Sequence, residues 1–145
     1  MDDSVEELLW ETRRLFRALA TAADEALAPL GIQESERALL EFLARADAPV
    51  SLSALARQYA VSRQHIHQTL NRLRDPEWVE RLPDPDDARS VRLRLSQKGR
   101  TFWREVRAAD RLLLRRIARH IDPAAARRAT RTLQGIRAGL RGGTT

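Results

Sequence analysis

The chain has 145 residues and no cysteine, and its 26 Lys+Arg against 20 Asp+Glu leave a formal charge of +6. That length suits one domain, and a hydrophobic content of 43% fits a packed core rather than a disordered chain or a fibrous repeat. The missing cysteines exclude disulfides, Cys-ligated zinc, iron–sulfur clusters and thiol redox sensing, and the lack of a signal-like or 18-residue apolar run predicts a soluble, cytoplasmic protein with no membrane partner.

Ser4 with Glu7 reads as a capping box, and Leu8, Leu15, Leu19, Ala22 and Ala26 recur at helical spacing. A long first helix is therefore expected to about Ala28, ended by Pro29 and Gly31. Leu39, Leu40, Phe42 and Leu43 mark a second helix, closed by Asp47-Ala48-Pro49. A short third helix carries Leu52, Leu55 and Ala56 after Ser51. Across Tyr59-Ala60-Val61, Ser62 caps a fourth helix with Ile66, Leu70 and Leu73 on one face, stopped by Pro76.

From Trp78 the period changes to two: Val79 and Arg81 alternate with Glu80 and Leu82, then Val91, Leu93 and Leu95 with Arg92 and Arg94. This is the pattern of a hairpin. Its connection, residues 83–89, is charged and reads as a projecting loop rather than a tight turn. Ser96 caps a fifth helix along Phe102, Val106, Ala109, Leu113, Ile117 and Ile121. Asp122-Pro123 opens a sixth along Ala129, Leu133, Ile136 and Leu140, and the tail from Gly142 to Thr145 is expected to fray.

The fold class is thus mainly α with a small two-stranded β-wing. Residues 1–145 form a single domain, with a winged helix-turn-helix lobe at 33–96 and its wing at 79–95. Helices at 1–28 and 97–140 carry apolar stripes that one small chain has few surfaces to bury, so they are expected to pair with a second copy as dimerisation helices. Charge follows this division. Residues 1–47 hold 5 basic and 11 acidic side chains, 48–99 hold 9 and 6, and 100–145 hold 12 and 3. Every basic residue except Lys98 is arginine, whose fork suits phosphate and guanine.

Two helices joined by a short turn make a helix-turn-helix, whose second helix enters the major groove. Turning about 100° per residue from Ile66 puts Gln64 and Gln68 opposite the buried stripe, with His65 and Arg72 on one flank and His67 and Asn71 on the other. Glutamine pairs bidentately with adenine, and arginine with guanine or phosphate. Arg63 and the amides at the Ser62 end are placed for phosphate. Arg89, at the wing tip, suits a narrow minor groove, with Asp87 orienting it and Asp84 and Asp86 holding the loop. The expected DNA-binding residues are Ser62, Arg63, Gln64, His65, His67, Gln68, Arg72 and Arg89, with wing support from Asp84 and Asp87.

The run Asp84-Pro85-Asp86-Asp87-Ala88-Arg89, followed by Val91-Arg92-Leu93-Arg94-Leu95-Ser96-Gln97-Lys98-Gly99, resembles the D-x-x-D-x-R…L-x-L-[ST]-x-x-G signature of the MarR family of winged helix-turn-helix regulators. Leu30-Gly31-Ile32, Leu55-Ala56 and Val79-Glu80-Arg81 fall at the same spacing. The resemblance implies a homodimeric transcription regulator, a repressor or an activator, on double-stranded DNA with a pseudo-palindromic operator. Carried over by position, Gln64, His65, His67 and Gln68 face bases, Arg63 and Arg72 the backbone, and Arg89 the minor groove. The chain departs from the family at Ala88, where an arginine is usual, and at Asp75-Pro76-Glu77-Trp78, where a glycine is common.

The family also implies a small aromatic or amphipathic ligand, for which Trp10, Arg14, Phe16, Phe102 and Trp103 are the candidate lining. No metal or cofactor is expected, since His65 and His67, two apart on a helix, point about 200° from each other. No P-loop, dinucleotide motif or nucleophile elbow supports an enzyme. The rival function is a winged-helix dimer whose exposed helix face binds another protein instead of DNA.

Overall fold

The computed structural model describes residues 3–142, so the part of the expected fraying tail from Gly143 on lies outside the described residues. Helix α1 spans Asp3–Leu27, so Ser4 lies inside it rather than capping it. Asp3 and Glu6 complement the positive helix start in its place. A 3-10 turn, Ala28–Leu30, places Pro29 where no amide is needed, and Gly31 then reverses the chain at a φ of 71°.

Helix α2 spans Glu34–Arg45. Its start is tied down twice: the Gln33 N–H donates to the Glu36 carboxylate at 2.8 Å, and the Glu34 N–H donates to Asp24 of α1 at 2.7 Å. Strand β1 (Val50–Ser51) runs into α3 (Leu52–Tyr59), where Ser51 Oγ accepts from the Ala54 N–H at 3.1 Å. Ala60 turns the chain in the left-handed region at a φ of 57°. Helix α4 (Arg63–Arg72) follows, and Ser62 Oγ accepts from the His65 N–H at 3.0 Å.

Helix α4 ends well before Pro76, the expected stop. Leu73 leaves helical geometry while staying buried, and Pro76 opens a 3-10 turn, Pro76–Trp78, capped by Asp75 through the Glu77 N–H at 3.0 Å. Lys98 clamps the outside of this turn, with Nζ 2.7 Å from both Asp75 and Glu77. Hydrogen bonds to Asp75 and Glu77 push the Lys98 ammonium up to about 12, and the Lys98 bond in turn lowers Asp75.

The wing is β2 (Val79–Asp84) paired antiparallel with β3 (Asp87–Leu95), in register from Val79↔Leu95 to Pro83↔Val91. β1 pairs with the base of β3 as a third strand, giving the order β1-β3-β2. The expected long loop at 83–89 is instead a tight connection through Pro85 and Asp86, with a register shift at Pro83/Asp84. Carboxylates fold the charged run onto itself. Asp84 accepts from the Asp86 N–H (3.0 Å) and from Arg92 Nε (3.2 Å), Asp86 takes Arg92 Nη2 (2.8 Å), and Asp87 accepts from the Arg89 N–H (2.9 Å).

Helix α5 (Gln97–Ala118) starts at Ser96, whose Oγ accepts from the Gly99 N–H at 2.9 Å and donates to the Glu77 carbonyl at 2.6 Å. Gly99 has no substitute here, because a Cβ built on it would stand 2.0 Å from the Trp78 carbonyl oxygen. Ile121 falls beyond the end of α5 and is exposed. Asp122 caps α6 (Pro123–Gly142) through the Ala125 N–H at 2.8 Å.

The chain divides into two compact units, one up to Asp110 and one from Arg111. The first has a closed core in which Leu27, Leu39, Leu40, Leu55, Ile66, Leu93 and Val106 are fully buried. Trp78 and Phe102 stack at 3.8 Å, and the Arg74 guanidinium lies 5.2 Å and 5.4 Å from their ring centres. In the second unit α6 buries no residue.

Candidate nucleic-acid interface

The amphipathic pattern of α4 fixes which side chains it presents. Ile66, Thr69 and Leu70 are buried, and Thr69 Oγ1, fully enclosed, donates to the His65 carbonyl at 2.9 Å. This leaves Arg63, Gln64, His67, Gln68, Asn71 and Arg72 exposed along one helix, together with Ser62 at its start. Glutamine and asparagine carry a donor and an acceptor side by side, the pairing that a base edge in the major groove offers.

His65 stands apart from these. It is half-buried, its ring lying edge-on to Tyr59 at 6.0 Å and 81°, and Tyr59 packs on Phe42 at 4.8 Å. His65 therefore anchors α4 to α3 and α2, and only part of its ring is accessible. Burial raises the Tyr59 hydroxyl above its ordinary range, reinforced by the charge of Glu34.

Arg89 is exposed at the wing, close in sequence to the tight turn. Asp87 holds the Arg89 backbone rather than its guanidinium, which forms no ion pair among the described residues. Asp84 acts on the other arginine, Arg92, and is itself buried at 6% exposure in that ion pair. The wing carboxylates thus neutralise Arg92 and leave Arg89 charged toward solvent.

Electrostatics separate this face from the rest of the lobe. From Ala48 to Arg74 the sequence contains no Asp or Glu, while it carries Arg57, Arg63, Arg72 and Arg74. Arg57, exposed on α3, is a basic residue of this surface that helical periodicity alone did not single out. The absence of acids across that stretch is the sequence signal that marks it. Elsewhere arginines are consumed: Arg94 binds Glu80 at 2.6 Å, and Arg37 binds Asp110 through Nε at 3.3 Å and Nη2 at 2.8 Å and Glu41 at 2.7 Å. Burial works against the Arg37 charge, but its Asp110 hydrogen bonds and the surrounding carboxylates outweigh that and raise its pKa. Glu34, beside the same network, is raised by burial and keeps one enclosed oxygen, Oε2, without a partner.

The candidate ligand residues are not gathered in one place. Trp10 and Phe16 are 57% and 72% exposed on α1, Arg14 pairs with Glu11 at 2.8 Å, and Phe102 is buried against Trp78. A cleft of about 480 Å³ opens instead between the end of α2, the 46–49 segment, β3 and the start of α5. Leu43, Pro49, Arg94, Arg100, Trp103 and Arg104 are among its lining residues. Among the described residues no group of three or more His, Cys, Asp or Glu could hold a metal ion, and no helix is long and apolar enough to cross a membrane.

Comparison with known proteins agrees with this geometry. Residues 32–99 match the family model described as winged helix DNA-binding domain. No curated protein matches the chain. Among solved structures, a MarR transcriptional regulator from Methanosarcina mazei Go1 is similar at a TM-score of 0.80 with 21% identity, over 94% of this chain and 98% of that one. The M. tuberculosis transcriptional regulator MOSR, solved in complex with DNA, is similar at 0.71 with 25% identity, over 92% and 97%. CouR from Rhodococcus jostii RHA1, bound to p-coumaroyl-CoA, is similar at 0.75 with 21% identity, over 86% and 87%.

Proposed function

We propose that this chain, whose residues 32–99 match the winged helix DNA-binding domain model and whose fold is shared with solved MarR-family regulators, is a sequence-specific transcription regulator, a repressor, acting as a homodimer on a pseudo-palindromic operator. One observation carries the reading: an acid-free stretch, 48–74, presents Gln64, His67, Gln68 and Asn71 on the exposed face of α4, flanked by Arg63 and Arg72. Gln64, Gln68 and His67 read base edges, Arg63, Arg72 and the Ser62 end hold the backbone, and Arg89 enters the minor groove. His65 steadies the helix and offers one ring edge.

The dimer is supported by apolar side chains left open on α1 and α6, among them Trp10, Phe16 and Leu140, the last 77% exposed. Exposed apolar stripes of this kind mark association surfaces. A two-fold dimer sets two α4 helices against major grooves about one helical turn apart or a multiple of it, which is why the operator is palindromic. A small aromatic or amphipathic effector modulates binding, a reading supported by the ligand in CouR and by the cleft at Trp103. It acts by favouring one lobe arrangement over another.

The test is selection of genomic fragments by the purified protein at near-physiological salt with excess competitor DNA, then sequencing. An inverted repeat shared by the retained fragments is expected, with Arg89→Ala binding it more weakly, Gln68→Ala relaxing base preference, and Arg72→Ala weakening all sequences alike. Sequence-blind retention would remove the operator. No retention at all would favour the other reading, a winged-helix module that binds a protein through the same face.

A further inference from the structure

The turn that joins α3 to α4 is also a concavity. A shallow notch of about 450 Å³ is lined by Ser53, Ala56, Arg57, Ala60, Val61 and Arg63. We propose that this notch is a phosphodiester seat in which Arg57 and Arg63 grip one phosphate of the DNA backbone, fixing how α4 enters the groove. The proposal rests on the DNA-binding reading above and adds to it a residue, Arg57, and a register-setting contact.

Three features converge on it. First, both guanidinium groups are exposed and neither forms an ion pair among the described residues, whereas Arg37, Arg92 and Arg94 in the same unit each hold a carboxylate. Arginine left unpaired beside a concavity keeps its fork for an oxyanion. Second, the rest of the lining is short. Two alanines and a valine leave nothing tall between the arginines, and Ala60 keeps its left-handed φ of 57° with only a methyl group, so a backbone as wide as a duplex strand can come close. Third, the local repulsion is reduced. The carbonyls of Ala56 and Arg57, at the negative end of α3, accept from the N–H groups of Val61 (3.0 Å) and Ala60 (3.3 Å), and α4 begins at Arg63 with the positive end of its dipole.

Openness decides which phosphate belongs there. A free ion would meet two solvated arginines and no enclosed donor, an arrangement that contributes little. A phosphate already carried by a duplex docked on α4 arrives at high effective concentration, so the same two forks become a positioning contact. Such contacts set register and carry no base information.

The experiment uses the full chain and an operator duplex recovered by the selection above. Arg57→Ala should bind roughly tenfold more weakly, with the slope of log affinity against log salt shallower by about one and base preference unchanged. Its thermal melt should match the parent, since Arg57 makes no ion pair among the described residues. Neutral methylphosphonates placed one at a time along the duplex should reveal one position per half-site that weakens the parent more than Arg57→Ala, which keeps Arg63 on that phosphate. Inorganic phosphate should compete no better than chloride at equal ionic strength. An unchanged salt slope, or equal sensitivity of parent and variant at every methylphosphonate, would overturn the seat. Specific competition by inorganic phosphate would overturn its assignment to the backbone. If the parent retains no DNA, the functional reading itself fails, an outcome seen before any variant is compared.

Discussion

The winged lobe and the last helix use the same sequence device with opposite results. In α2, α3 and α4 the apolar residues at helical spacing end in a closed core, where Leu39, Leu40, Leu55 and Ile66 are fully buried. In α6 a stripe of the same kind, through Leu133 and Leu140, stays open and no residue is buried. An amphipathic pattern thus specifies that a face must be covered, and leaves open what covers it. In the lobe the cover is the rest of the chain; for α6 we propose a second copy.

The comparison can be broken hardest at the junction that closes the lobe. Gly99→Ala forces a methyl group into the Trp78 carbonyl and is expected to destabilise the fold by roughly 4 kcal/mol, the upper range for a single change. A urea melt followed by tryptophan fluorescence checks this, and a parent-like midpoint would mean that the turn can retreat from α5. Next comes Leu55→Ala, which empties fully buried volume and should cost about 3 kcal/mol in the same melt. Arg37→Met strands the Asp110 carboxylate, 10% exposed, and should cost about 2 kcal/mol. Recovery of much of that loss in the Arg37→Met, Asp110→Leu double variant would identify the stranded charge as the cause.

The open face should answer differently. Leu140→Ser is expected to move the melting midpoint of the dilute chain by no more than about 0.5 kcal/mol while weakening self-association in sedimentation equilibrium. Unaltered association would remove α6 from the dimer surface.

The smallest effect sharpens the lobe side and has a pH signature. Burial raises Glu34 above its ordinary value, so between its unfolded and folded values the folded chain holds a proton that the unfolded chain has released. Stability contributed by Glu34 is therefore full below its unfolded pKa and is lost as pH rises through its folded value. Glu34→Gln keeps the shape without the charge, so its melting temperature should exceed that of the parent at pH 7 and converge with it toward pH 4. A gain independent of pH would assign the effect to packing.

Much of this was legible in one dimension. Periodicity, caps and breakers located the helices within a few residues, because Ser51, Ser62, Ser96 and Asp122 do what their short side chains do at any helix start, whatever surrounds them. The exposed residues of α4 followed from angular position around Ile66 for the same local reason. Where the reading and the fold differ, the cause lies at a distance along the chain. The charged segment at 83–89 folds into a tight turn because Arg92, from the returning strand, takes both Asp84 and Asp86. His65, polar by type, turns its ring to Tyr59 because α3 crosses there. Val50–Ser51, two residues with no period to read, becomes a strand only because β3 lies beside it. Spacing and capping act between neighbours in sequence and so can be read from it. The chemistry left free at the surface is decided by which distant residues have already claimed each charge, and only the tertiary structure settles that.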